Sequence, residues 1–181
     1  NAAALVRAGA QSVKLEGGSK RVSVIDAIVD AEIPVMGHLG LTPQSMHALG
    51  GFRVQAKASD AALALVDEAK ALEHAGCFAI VLEAIPDVVA DLVTESVGVP
   101  TIGIGAGAGT DGQVLVLSDL LGLDPKRPPK FVRRYADGYA MGTEAVANYV
   151  GDVRSGAFPD DSETYHASES TWETLAIYGG Q

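Results

Sequence analysis

Cysteine occurs once in the 181 residues, at Cys77, which excludes an internal disulfide and fits a reducing, cytoplasmic setting. Cys77 lies in an apolar run and reads as a buried inert thiol. Basic residues are scarce: 13 Lys and Arg stand against 23 Asp and Glu, a net charge of -10. Binding a phosphate backbone takes clustered cations, so no nucleic-acid partner is expected. The local basic groups, Lys126-Arg127 with Lys130 and Arg133-Arg134, are interrupted by Pro128-Pro129 and read as a solvated turn and helix face. The acidity fits a salt-adapted source or simple solubility equally well. No apolar run reaches the ~20 residues of a membrane helix, and no signal peptide is visible, so no membrane is expected.

The remaining composition, 48% hydrophobic and 20% charged, is that of one globular domain with a sizeable core. The chain does not start with Met, and Asn1 to Val6 reads as a helix already under way. A longer parent protein is the expectation.

The pattern is strand, loop, helix, repeated. Short apolar strands are expected at 12–16, 34–38, 78–83, 100–105 and 114–117. Helices are expected at 1–10, Val22 to Glu32, from a Ser59 cap to Gly76, after Pro86, and over 131–155. Their apolar stripes are Val24, Ile25, Ile28 and Val29; Leu63, Val66, Ala69 and Leu72; and Val88, Val89, Leu92 and Val93. The tail from Phe158 is acidic, rich in Ser and Thr, and reads as loosely ordered, with Trp172, Leu175 and Ile177 available to dock on a partner. Near-continuous apolar strands imply a parallel sheet covered by helices. Five strands of an eight-stranded barrel, which needs about 250 residues, is the first reading. An open doubly wound sheet is the second, weakened because no phosphate-binding glycine turn follows the first strand.

Either architecture puts chemistry at the carboxyl ends of the strands. Those ends carry Lys14 and Glu16, two apart and so on one side of a strand, then His38, then Glu83. A carboxylate beside a lysine suits a hard cation such as Mg²⁺, and a partly desolvated carboxylate suits a base. The plain readings stand beside these. Lys14 and Glu16 can be a simple ion pair, His38 a hydrogen-bonded structural histidine, and Glu83 a helix-start carboxylate. The Gly103–Gly109 run fits a close-packed turn better than a phosphate loop. His47 and His74 read as surface residues, and Asp111 as a turn cap or a brace at the sheet's mouth. The long glycine-rich loop after His38 is too long for a simple connection and reads as functional.

Several segments together resemble the ketopantoate hydroxymethyltransferase family. They are Val13-Lys14-Leu15-Glu16-Gly17-Gly18, Met36-Gly37-His38-Leu39-Gly40-Leu41-Thr42-Pro43-Gln44-Ser45, Leu49-Gly50-Gly51-Phe52, Leu82-Glu83-Ala84-Ile85-Pro86, Ile102 to Gly107, Thr110 to Val116, and Ser155-Gly156-Ala157-Phe158-Pro159. The resemblance implies a (β/α)8 barrel of the phosphoenolpyruvate/pyruvate type, with residues 1–159 its C-terminal part and 160–181 an acidic tail. It implies hydroxymethyl transfer from 5,10-methylenetetrahydrofolate to 3-methyl-2-oxobutanoate, giving 2-dehydropantoate in pantothenate biosynthesis. It further implies Mg²⁺ and a homo-oligomer, a decamer in the family. By the same resemblance Glu83 is the catalytic base, Lys14 and His38 bind substrate, and Glu16 is associated with the metal. The family's two metal-binding aspartates and adjacent serine, on earlier strands, have no counterpart in these residues. The 181 residues alone are therefore expected neither to close a barrel nor to catalyse. No aromatic cluster marks a pterin pocket; Arg53 and Lys57 on the long loop are candidates for the folate glutamates, with surface roles as the alternative.

Two other functions compete. A related Mg²⁺ lyase of the same superfamily would carry a cysteine on the loop after a middle strand, where this chain has Thr42, Gln44 and Ser45. A truncated, non-catalytic assembly partner is the other.

Overall fold

The computed structural model describes residues 1–45, 51 and 53–178. His47 and most of the Leu49–Phe52 motif lie outside the described residues. The chain forms two compact units, one of residues 1–120 with 126–133 and the other of residues 121–125 with 134–181.

The first unit alternates helix and strand: α1 (Ala2–Arg7), β1 (Val13–Glu16), α2 (Val22–Asp30), β2 (Val35–Gly40), α3 (Ser59–His74), β3 (Cys77–Glu83), α4 (Asp87–Ser96), β4 (Thr101–Ile104), β5 (Gly112–Gln113) and α5 (Leu117–Leu120). All five strands are parallel, in the order β1-β2-β3-β4-β5. A doubly wound sheet reverses its strand order and carries helices on both faces. Here the order is sequential, and α2, α3 and α4 bury a single face through Ile25, Leu65, Ala69, Leu72, Ala90 and Val93 against Val35, Leu39, Ile80 and Leu82. This singly wound β/α arrangement is part of a (β/α)8 barrel. The expectation of a sheet covered on both faces gives way to one apolar face and one face bearing polar side chains.

The helix stripes shift by a residue or so from the spacing. Val24, Leu63, Val88 and Leu92 are exposed, while Leu65 and Ala90 are buried. Helix α3 starts at Ser59, but Ala58 holds the cap position and no side chain caps it. Gly76 does end α3, at φ +89, where a Cβ would press on Val29. Pro86 sits one residue before α4, its carbonyl accepting from the Val89 and Ala90 amides at 3.1 Å.

Two expected elements differ. The strand at 114–117 is replaced by β5 at Gly112–Gln113, and pairing ends as the Val114 N–H donates to the Gly103 carbonyl. The long helix over 131–155 is α6 (Gly138–Ser155), in the second unit. Asp137 caps it, its side chain accepting from the Ala140 amide at 3.1 Å, and the Gly138 amide donates to the Leu121 carbonyl instead of continuing a helix backwards. The tail is more ordered than its composition implies. A capping box at Asp160 and Glu163 closes a short turn, and α7 (Glu169–Tyr178) follows with Trp172 and Leu175 exposed. The side chain of Ile177 lies outside the described residues. Among the described residues, no helix is long and apolar enough to cross a membrane.

Candidate active site

Alternation along β1 turns Val13 and Leu15 toward the helices, and so turns Lys14 and Glu16 to the open face. On β2, Leu39 packs in the core and His38 points the other way. Strand β3 needs one further device. Cys77, Ile80 and Leu82 all belong to the helix-side core, although strict alternation would put Cys77 and Ile80 on opposite faces. The pairing resolves this: Val35 pairs with Cys77 and Met36 with Ala79, leaving Phe78 as an extra residue. That bulge reverses the parity of the strand and delivers Glu83 to the face that carries His38.

Four side chains thus meet at the carboxyl ends of three adjacent strands. Lys14 Nζ lies 2.9 Å from His38 Nδ1, and His38 Nε2 lies 3.1 Å from Glu83 Oε2. Glu16 Oε1 is 3.8 Å from Lys14 Nζ and 3.7 Å from His38 Nδ1, while its Oε2 accepts the Gln44 amide N–H at 2.9 Å. The His38 side chain is 2% exposed, Glu16 12%, Glu83 14% and Lys14 44%, so the cluster sits at the base of an open mouth.

The contacts fix the imidazole tautomer. An ammonium only donates, so Nδ1 accepts from Lys14 and the ring proton is on Nε2. That Nε2–H is buried beside Glu83 yet off the angle of a proper hydrogen bond, which leaves it without a partner. A buried donor without an acceptor is costly, and a small shift of Glu83 or an entering oxygen would satisfy it.

The Glu83 backbone is held from both sides. Its carbonyl accepts from Leu41 N–H at 2.8 Å, the Ala84 N–H donates to Ile104 O at 2.9 Å, and the Ala84 carbonyl accepts from Gln55 N–H at 2.9 Å. Ala84 itself lies at φ +49, a left-handed conformation an alanine adopts only when its surroundings impose it. Strain of this kind immediately after a base candidate marks a position determined by the fold.

Farther out, Asp111 accepts from the Thr101 amide at 2.8 Å and from the Thr101 hydroxyl at 3.1 Å. Those bonds hold its carboxyl below the usual carboxylate range. Asp111 thus braces β4 at the end opposite Ile104 and takes no part in the cluster. Burial pushes the Cys77 thiol up to about 11, which keeps it protonated and inert. His74 ends α3 with Nδ1 2.6 Å from the Lys70 carbonyl. The glycines at 107 and 109 abut Asp87 and Asp91 of α4, an acidic setting unsuited to phosphate.

Glu16 is the sequence's metal candidate. Among the described residues, no group of three or more His, Cys, Asp or Glu side chains could hold a metal ion. One carboxylate, half engaged by Gln44, does not make a site for a hard cation that wants near-octahedral oxygen. The residues present therefore do not by themselves fit Mg²⁺. The spacing of residues gave no hint of the Gln44 amide or of Phe131 and Lys130 near Glu83. The Pro128-Pro129 pair was the signal that a turn, not a helix, occupies that stretch.

A family model described as ketopantoate hydroxymethyltransferase matches residues 1–161. Among similar proteins, a 3-methyl-2-oxobutanoate hydroxymethyltransferase 2 of Bradyrhizobium diazoefficiens is 51% identical over 176 residues, covering 97% of this chain and 60% of that one. The 3-methyl-2-oxobutanoate hydroxymethyltransferase of a Methylobacterium species is 55% identical, covering 97% of this chain and 61% of its own length. That of Geobacter metallireducens is 54% identical, covering 91% and 62%. The chain spans about three fifths of the length of these curated relatives. With a family match through nearly the whole β/α unit and identities above half, the chain belongs to the ketopantoate hydroxymethyltransferase family.

Proposed function

We propose that the protein containing this chain transfers a hydroxymethyl group from 5,10-methylenetetrahydrofolate to 3-methyl-2-oxobutanoate, giving 2-dehydropantoate in pantothenate biosynthesis. The observation that carries the proposal is the meeting of Lys14, His38 and Glu83 on one face, with Glu83 fixed by backbone bonds on both sides. Glu83 takes the proton from C3 of the keto acid. The C–H electron pair becomes the enolate double bond, and the C2 oxygen takes the charge. Lys14, the most exposed of the four, reaches the substrate's anionic oxygens and stabilises the enolate. His38 presents its Nε2–H between Glu83 and the substrate, as a binding donor for an oxygen of the keto acid. Water adds to the methylene carbon of the donor as one of its two C–N bonds breaks, its second hydrogen going to the freed nitrogen. The enolate carbon then attacks that carbon as the other C–N bond breaks, and the proton held by Glu83 goes to the departing nitrogen, releasing tetrahydrofolate.

Glu16 would approach Mg²⁺ as one ligand among others. The described residues do not complete that site, and the roles of Glu83, Lys14 and His38 rest on their own atoms. The proposal further takes residues 1–159 as the C-terminal part of the barrel and 160–181 as a tail, in a cytoplasmic homo-oligomer acting on small molecules.

The test is exchange of the keto acid C3 hydrogen in D2O, followed by NMR without any donor, in the full-length enzyme. Glu83→Gln should lower the exchange rate by about 10²–10⁴-fold, the usual range for loss of a general base. Undiminished exchange would remove Glu83 from the role.

A further inference from the structure

A cavity of about 470 Å³ shares Glu83 with the cluster but is otherwise separate from Lys14, Glu16 and His38. Its walls are largely apolar, with Val54, Val116 and Phe131 among them, and its charged lining includes Arg53 and Lys130. Asp119 also borders it, the one acid besides Glu83 among the described lining residues.

Two segments distant in sequence build this cavity, and each is tied to a strand end. Lys130 and Phe131 are the central pair of a turn closed by the Val132 amide donating to the Pro129 carbonyl at 3.1 Å. The Phe131 ring lies on the backbone of Gly105, just past β4: a Cβ there would come 2.7 Å from Phe131 Cδ1. Arg53 is followed by Gln55, whose side-chain amide donates to the Arg53 carbonyl at 2.8 Å and whose backbone amide donates to Ala84 O. The aromatic ring and both cations are therefore referenced to the same strand ends that hold Glu83.

We propose that this cavity receives the one-carbon donor, a reduced folate, with its flat ring system against Phe131 and the aliphatic wall and its carboxylate tail on Lys130 and Arg53. The inference rests on the hydroxymethyl-transfer reading and locates the second substrate of that site. Three features select this ligand class. The volume lies in the usual range for small-molecule sites, about 300–1,000 Å³. An apolar wall with one aromatic ring suits a flat heterocycle. Exposed cations at the rim suit carboxylates. A transferase that removes a proton with Glu83 must also bring the electrophilic carbon to that carboxylate's neighbourhood, and this cavity adjoins it.

The experiment uses the full-length enzyme and its Lys130→Gln and Phe131→Leu variants. Binding of tetrahydrofolate alone is measured by fluorescence, and KM is measured separately for 5,10-methylenetetrahydrofolate and for the keto acid. Lys130→Gln should raise the Kd for tetrahydrofolate and the KM for the donor by about tenfold, with the keto acid KM moving less than twofold. Phe131→Leu should act in the same direction. Donor constants within twofold of wild type, or equal changes for both substrates, would overturn the assignment. Folate binding is read without turnover, so the two readings fail separately. A wild-type enzyme that binds no tetrahydrofolate overturns the cavity, whereas C3 exchange unaffected by Glu83→Gln overturns the reaction.

Discussion

Gly40→Ala probes the mounting of Glu83 without touching its side chain. Gly40 ends β2 at φ +87, and a Cβ there would lie 2.2 Å from the Glu83 carbonyl oxygen and 2.8 Å from Ile85 Cγ2. The first obstacle is backbone of a paired strand and cannot swing aside as a flexible side chain would. The left-handed conformation costs an alanine about 1–2 kcal/mol. The overlap adds about 1–3 kcal/mol by analogy with overpacked cores. A loss of about 2–5 kcal/mol follows, a large share of a usual stability of about 5–15 kcal/mol. Gly9→Ala is the control, since Gly9 has φ +106 but nothing within 4 Å of a Cβ, so only the conformational cost of about 1–2 kcal/mol applies. Urea unfolding of the full-length protein, followed by circular dichroism, should separate the two variants by a lower midpoint for Gly40→Ala at unchanged slope. Displacing the Glu83 carbonyl should also lower kcat by about tenfold or more, because reacting groups tolerate little misplacement. Equal midpoints for the two variants, or unchanged kcat in Gly40→Ala, would refute the view that β2 positions Glu83 through this contact.

Leu72→Ala removes a fully buried side chain between α3 and the sheet and should cost about 3 kcal/mol in urea unfolding; a loss under about 1 kcal/mol would mean the core there is loosely packed. The Cys77 thiol, pushed up to about 11 by burial, should label with a disulfide reagent at pH 8 at least a hundredfold more slowly in the native protein than after unfolding, and fast native labelling would contradict its burial. Asp111 has a folded value below its ordinary 3.8, so its stabilisation is fully present above about pH 4 and is lost as pH falls through the folded value. Asp111→Asn should therefore destabilise at pH 7, with the difference shrinking below pH 4; a difference independent of pH would be inconsistent with charge-assisted bonds to Thr101. In full-length enzyme stripped with EDTA, Glu16→Gln should bind the keto acid more tightly than wild type, and with Mg²⁺ restored more weakly; the same sign in both conditions, read by calorimetry, would reject opposed roles of Glu16 without and with the metal.

The β/α order was legible because each early strand is a short apolar run closed by glycine or a polar tip. Lys14 and Glu16 shared a face by alternation alone. Glu83 did not: its facing depends on the extra residue at Phe78, and nothing in Cys77-Phe78-Ala79-Ile80 announces which residue leaves the register. The apolar Val114–Leu117 run signals burial without saying against what. Val114, Val116 and Leu117 remain exposed beside β5, and no described strand lies beyond it. The helix expected from 131 starts only at Gly138, for local reasons. Asp137-Gly138 is a cap and a first turn, and Arg134 to Asp137 lead into it without helical bonds.

The charge of the cluster constrains what can enter it. Glu16 and Glu83 are two carboxylates facing one ammonium, Lys14, which also donates to His38 Nδ1. An anionic keto acid added to this set would leave three carboxylates sharing one cation in a mouth where two of the acids are largely shielded from water. Repulsion of that kind is worth several kcal/mol between charges about 4 Å apart at intermediate dielectric. The Gln44 amide offsets part of it at Glu16 Oε2, but a neutral dipole does not replace a charge. A divalent cation would restore balance, with Glu16 as one ligand among others; among the described residues no group of three or more His, Cys, Asp or Glu side chains could hold it. On the proposed reading, the carboxylate that repels substrate would also be one ligand of the ion that binds it. Glu16 should therefore oppose substrate without the metal and favour it with the metal, which is why the sign of the Glu16→Gln effect, and not its size, tests the role of this residue.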